Sequence, residues 1–289
     1  MNLCRIFRYL NITTMTELPA KTRFRINSID IFRGLIMVIM ALDHVRDFFH
    51  HVKTENGGDV ALNPTNLATT TPLLFFTRWI THLCAPNFVL LAGAAAYIMS
   101  LKKSKSELSI FLIRRGVWLV LVEVVIITLA WTFDPLYNLV ILQVIWVIGA
   151  GMIILGLVVR LPFRFILLLG LVIVLGHNLL DYPAVNKGMQ GHFLPDLLYF
   201  SGFHLEPLGH NHFIMIVYSV VPWTGVMLLG YCFGKLFMSL TESNKRKKML
   251  LLLGTGLVAL FVVLRVINLY GDPVPWSQQS RGPVFTFLS

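Results

Sequence analysis

Charge is the scarcest commodity in this chain. Of 289 residues only 13% are charged, while 56% are hydrophobic and the mean hydropathy is +0.73. A soluble domain carries about 25% charged residues, so a soluble globular protein is excluded and a polytopic membrane protein is expected. Cysteine is nearly absent. Cys4, Cys84 and Cys232 are scattered, with no disulfide framework and no metal spacing. Phosphate-binding glycine loops, a GxSxG elbow and an HExxH helix are all missing, which removes nucleotide-hydrolase, serine-hydrolase and zinc-protease readings. The first twenty residues lack a long apolar core and a small-residue cleavage site, so no signal peptide is expected.

What is there is long apolar runs. Runs of about 20 residues identify membrane spans, and seven are expected, at 29–49, 74–100, 110–131, 139–159, 164–180, 213–238 and 249–270. The fold class is therefore an all-α membrane protein, a polytopic transmembrane helix bundle. Residues 1–22 form an N-terminal segment and 23–289 the membrane domain. The formal charge of +10 does not point to nucleic acid. Assigning each of the 24 Lys and Arg to its nearer face puts 18 on one side and 6 on the other. Positive charge collects on the cytoplasmic side of membrane proteins. The N-terminus is thus expected in the cytoplasm, in a multi-pass protein of the cell's inner membrane whose partner is the lipid bilayer. Residues 285–288 read as the start of another apolar segment, so the chain is expected to continue beyond Ser289.

All nine histidines fall on the other side or in the outer half of a helix. Histidine is the side chain that changes charge near neutral pH, which suits proton transfer on that face. The first run carries the deepest charges. Asp30 and Asp43 are separated by roughly 20 Å of helix, against a hydrocarbon core of about 30 Å. With Asp30 at one interface, Asp43 and His44 are still inside the membrane. Ionisable groups there mark functional sites facing protein or water. His44 has carboxylates at Asp43 and Asp47, and such neighbours raise a histidine's pKa and orient its ring for base or nucleophile work. The bland alternative is a polar cap on a helix end.

On the second run, Arg78 and His82 are four residues apart and share a helix face at a depth matching His44. Pro86 should break the hydrogen-bond ladder one turn away. Glu123, Gln143, the pair His177 and Asn178, and the pair Arg265 and Asn268 lie in the outer halves of four different helices. Singly each reads as interhelical glue; together they suggest an outward polar cavity. Arg33, Arg114 and Arg115 line the basic side, where an anionic cofactor would arrive. His204, Glu206, His210 and His212 match no zinc spacing, so no metal is expected.

Four separated motifs carry a resemblance. They are Arg25-x-x-Ser28-Ile29-Asp30-x-x-Arg33-Gly34 with Asp43-His44, and Thr77-Arg78-Trp79-Ile80-Thr81-His82-x-Cys84-Ala85-Pro86-x-Phe88-x-x-x-Ala92-Gly93. The others are Pro222-Trp223-x-Gly225-x-x-x-x-Gly230-Tyr231-x-x-Gly234 and Leu264-Arg265-x-x-Asn268-x-Tyr270-Gly271-Asp272-Pro273. Over residues 23–289 the chain resembles the DUF1624 proteins, bacterial relatives of the heparan-alpha-glucosaminide N-acetyltransferase catalytic domain among the transmembrane acyltransferases. The resemblance implies transfer of an acetyl group from cytosolic acetyl-CoA to an extracytoplasmic, sugar-like acceptor. It also implies a histidine just after the first helix, so that His44 and His50 are both candidates. The expected catalytic set is His44, Asp43, His82, Arg78 and His50, with Arg33, Arg114 and Arg115 holding the cofactor; a homo-oligomer is compatible with it. Two readings of other classes use the same buried groups: a proton-coupled transporter, against which no inverted repeat is visible, and a non-catalytic membrane protein.

Overall fold

The computed structural model describes residues 27–49, 51–53, 59–61, 64, 66, 70–189, 191–200, 204–209, 211–239, 243–271, 276, 278–279 and 282–288. His50, His210 and the segment 1–22 lie outside the described residues. Helix dominates: α1 (Asn27–Phe49), α2 (Pro72–Thr81), α3 (Cys84–Ser100), α4 (Lys105–Leu121), α5 (Thr128–Thr132), α6 (Val144–Val158), α7 (Phe163–Gly176), α8 (Pro183–Asn186), α9 (Phe193–Leu198), α10 (Val220–Ser239), α11 (Ser243–Ile267) and α12 (Pro283–Leu288).

By length and composition, four helical segments suffice to cross a membrane: Pro72–Ser100, Phe163–Asp181, Val220–Phe237 and Asn244–Ile267. These overlap four of the seven expected runs. Of the rest, α6 is apolar but shorter, and α1 carries Asp30, Arg33, Asp43, Arg46 and Asp47. The run at 110–131 is α4 continued through a π-helical turn (Val122–Ile127) into α5.

Two expected runs open as strands rather than helix. β3 (Leu139–Leu142) pairs in parallel with β5 (His212–Ile216), and β5 pairs antiparallel with β4 (His204–Gly209). β1 (His51–Lys53) and β2 (Asp59–Ala61) form a separate ribbon. A short apolar stretch does not reveal by periodicity whether it is strand or helix. Here the β3 amides are drawn into the sheet, and α6 starts only after Gln143.

Small residues let the helices approach closely, as is usual where lipid removes any hydrophobic drive between them. A Cβ on Gly93 of α3 would sit 2.1 Å from the Met227 carbonyl oxygen of α10, and one on Gly230 would sit 2.2 Å from the Leu90 carbonyl oxygen. Gly116 and Gly149 bring α4 against α6 in the same way. The core between these pairs holds Val89, Leu108, Leu112, Val147, Leu155, Met227 and Leu228. Ser104 starts α4 with a capping box: its hydroxyl accepts the Glu107 amide and Glu107 accepts the Ser104 amide. At this basic end Lys105 reaches the Arg160 carbonyl. We call the opposite end of the bundle the far end.

Helix α11 stands apart, with only 6% of its apolar window buried. It is tied to the rest through Trp79, which stacks edge-on against Phe261 and donates to the Leu288 carbonyl of α12. Tyr270 donates to the Leu175 carbonyl.

Candidate functional site

Helix α1 runs antiparallel to α2 and α3, so the far half of α1 faces α2 and its basic half faces α3. The contacts follow that order. Cys84 Sγ lies 3.7 Å from the Ile36 carbonyl, and Arg33 donates to the Leu91 carbonyl at 3.2 Å.

At the far end Asp43 is the centre of a compact cluster. Arg78 Nη1 donates to both of its carboxylate oxygens at 3.0 Å. The Thr81 hydroxyl donates to Asp43 Oδ1 at 2.6 Å, and Arg46, one turn on along α1, donates to the same oxygen. Thr81 is 3% exposed. The cluster is therefore a half-buried carboxylate held by two guanidiniums and a hydroxyl, arrangements that fix charged side chains in a low-dielectric setting. Arg46 and Thr81 were not among the residues picked from sequence. Arg46 lies three residues after Asp43 on the same face, and Thr81 lies three after Arg78, so helical spacing carried both signals.

His44 goes elsewhere. Adjacent positions on a helix do not face each other, and the expected orienting bond from Asp43 to His44 is absent from Asp43's contacts. His44 instead lies edge-on to Trp131, with ring centroids 5.5 Å apart and planes at 88°. Phe48, one turn on, stacks on the same indole at 5.1 Å. Trp131 is held there from behind. Glu123, fully buried in the π-helical turn, accepts the Gln143 amide at 2.6 Å. Thr128, also fully buried, accepts the Ile141 amide at 3.2 Å. Together they lock the turn to β3 and aim α5 at α1. π-turns of this kind often occur at functional sites.

His82 caps α2, its amide bonding back to the Arg78 and Ile80 carbonyls, with its ring exposed. The helix breaks at His82 and Leu83, one turn before Pro86, as the sequence predicts. Asn87 then satisfies the Leu83 carbonyl at 2.7 Å. Arg78 and His82, four residues apart and joined by the His82 amide bond to the Arg78 carbonyl, lie one above the other at the end of α2. Thus the structure brings Asp43, Arg78 and His82 together and sets His44 on the neighbouring face of α1.

The remaining polar residues do not converge on one cavity. His177 Nδ1 bonds to carbonyls of its own helix, at Ile173 and Val174. Arg265 donates to the Phe287 carbonyl at 2.5 Å, and Asn268 pairs with Trp276. Glu123 and Gln143 meet each other, and Arg265 and Asn268 meet at Trp276. Among the described residues no group of three His, Cys, Asp or Glu side chains could hold a metal ion.

Toward the basic end lies a cavity of about 390 Å³ between α1, α3, α4 and α6. Its walls are apolar, with Ala92, Ala95 and Ala96 of α3 leaving the room, and Arg33 and Arg115 are its cationic groups. Arg114 and Arg115 also border a shallow surface groove with Lys103 and Trp118. Arg33 additionally lies 3.8 Å from Asp30.

A membrane helix bundle with a carboxylate–guanidinium cluster at one end and an arginine-lined apolar cavity toward the other defines an integral membrane protein with a buried polar site. Its family is clear as well. The heparan-alpha-glucosaminide N-acetyltransferase catalytic family matches residues 25–264, and the chain belongs to that family. No curated protein and no solved structure matches it.

Proposed function

We propose that this chain moves an acetyl group from cytosolic acetyl-CoA to a sugar-like acceptor on the far side of the cell's inner membrane. The observation that carries the reading, beside the family, is the pairing of two sites along α1. Arg33 faces an apolar cavity of about 390 Å³ toward the basic end, and at the far end Asp43 holds the polar cluster while His44 lies against Trp131 on the neighbouring face of α1.

The chemistry divides accordingly. Arg33, Arg115 and Arg114 hold the phosphates of the cofactor, since guanidiniums bind phosphate in bidentate fashion. The apolar walls take the pantetheine arm. His44 takes the proton of the acceptor amine or hydroxyl, or carries the acyl group itself. Asp43 fixes Arg78, and Arg78 with His82 stabilises charge developing on the acyl oxygen. His50 is the second candidate for the acyl-handling histidine, as the family resemblance implies.

Proteoliposomes containing the full chain, supplied with radiolabelled acetyl-CoA on one side and amino sugars on the other, test this. Label on the acceptor supports it; solute flux without label transfer would replace it with a transporter. The His44→Ala variant, checked for an unchanged melting temperature, is expected to lose transfer. Full activity there would shift the role to His50.

A further inference from the structure

Helix α2 is only ten residues long, and it carries Arg78 and Thr81, which both bond to Asp43. The Thr71 hydroxyl caps its start, accepting the Leu74 amide at 3.3 Å, and the break at His82 ends it. So short a helix has its roll about its own axis set by what touches its sides. Residues three and four apart share a face. Arg78 and Thr81 make one face, against α1. Phe75, Phe76 and Trp79 make another, and the groups that meet it come from α11 and α12.

The contacts on this second face have direction. Trp79 Nε1 donates to the Leu288 carbonyl at 3.1 Å, and the half-buried indole meets Phe261 with centroids 5.9 Å apart. Phe285 lies 5.2 Å from Phe75 and 6.0 Å from Phe76, ring to ring. The segment that offers these groups is itself tied down. Arg265, 8% exposed, donates from Nε to the Phe287 carbonyl at 2.5 Å, and the Phe287 ring meets Phe261. The Trp276 indole donates to the Arg265 carbonyl at 2.8 Å, and the Asn268 side chain accepts the Trp276 amide at 2.9 Å. Thus α2 is gripped on one side by Asp43 and on the other by a strap fastened to α11.

We infer that Trp79 is a positioning residue for acetyl transfer: its indole N–H, held by the Leu288 carbonyl, fixes the roll of α2 and with it the place of the Arg78 guanidinium. The inference rests on the acetyl-transfer reading. Trp79 touches neither Asp43 nor the acyl group and acts through its neighbour in the chain. Side chains of an α-helix end about 6 Å from its axis, so a roll of about 10° moves them by about 1 Å. A misplacement of about 1 Å can cost a hundredfold in rate. An apolar contact alone would let the ring slide over Phe261. The hydrogen bond does not, because an indole N–H withdrawn from its acceptor in apolar surroundings is left without a partner.

The test uses the full chain in proteoliposomes, with acetyl-CoA as donor and an amino-sugar panel as acceptor. Trp79→Phe keeps a ring against Phe261 and removes the N–H. Its expected result is a fall in kcat of about tenfold, inside the range a small misplacement costs. KM for acetyl-CoA is expected to stay unchanged, because the arginine-lined cavity lies between other helices. Arg78→Ala alone should cost about a hundredfold. Adding Trp79→Phe to it should cost nothing more, since coupled residues are not additive and the group Trp79 places is already gone. Phe285→Leu, which thins the strap's other hold on α2, is the second variant and should show the same split at smaller size. Wild-type kcat in both single variants, or a tenfold loss that persists on top of Arg78→Ala, overturns the role of Trp79 alone. Absence of transfer by the wild type overturns the acetyl-transfer reading and this role with it.

Discussion

The Thr81 hydroxyl and the Asp43 carboxylate meet at 2.6 Å across the α1–α2 interface. This bond, more than the sequence-adjacent histidine, decides where the carboxylate points. A hydrogen bond to a charged group is worth about 1.5–3 kcal/mol. Thr81→Val keeps the shape and removes the donor, so a loss of stability in that range is expected, read from thermal melts in detergent. Acetyl transfer should fall as well, because Asp43 then holds Arg78 with fewer constraints. Thr81→Ser should restore both.

The alanines of α3 make the basic-end cavity, so enlarging one should fill it. Ala95→Leu is expected to raise KM for acetyl-CoA about tenfold, equivalent to ~1.4 kcal/mol, with little change in kcat. Steady-state transfer kinetics check this. A matching rise in Arg115→Ala, read as weaker binding of CoA alone, would tie the same cavity to the cofactor's phosphates.

Backbone contact between α3 and α10 depends on glycine at their crossing. Gly230→Val must push α10 away from the Leu90 carbonyl. Overpacking of this kind costs about 1–3 kcal/mol. A lower melting temperature and poorer yield of folded protein are expected.

The turn that leads from α5 into β3 has its own pH response. Asp134 accepts the Leu136 and Asn138 amides, each at 2.9 Å, and these bonds hold its carboxyl below the usual carboxylate range. A lowered folded-state pKa stabilises the turn above the ordinary carboxylate value and ceases to do so as pH falls through the lowered one. Hydrogen exchange at Leu136 and Asn138, corrected for the intrinsic rate, should therefore lose protection in acid. Asp134→Ala should show that loss at neutral pH.

Much of this arrangement is legible in the residues. Mean hydropathy and charge asymmetry give a membrane bundle, because twenty apolar residues in a row have few other uses. Asp43, Arg78 and His82 are found by helical spacing and depth, and the helix break by Pro86. Arg46, three residues after Asp43, and Thr81, three after Arg78, follow from the same spacing, although an ordinary threonine on a helix gives no sign that it faces a carboxylate. His44 was expected to lean on Asp43 and leans on Trp131, because neighbouring side chains diverge around a helix and the indole arrives from a distant element. The strands at 139–142 and 212–216 hide inside apolar runs that read equally as helix.

The π-helical turn at Val122–Ile127 sets the rotational phase of everything after it. An α-helix advances about 100° per residue, so a single deletion inside the turn would rewind it and swing α5 by about that angle. Trp131 would then face away from α1, and His44 would lose its aromatic wall without any residue near it having been altered. The site's geometry is in this sense counted out along the chain: one residue more or fewer, far behind the histidine, decides which way the indole looks.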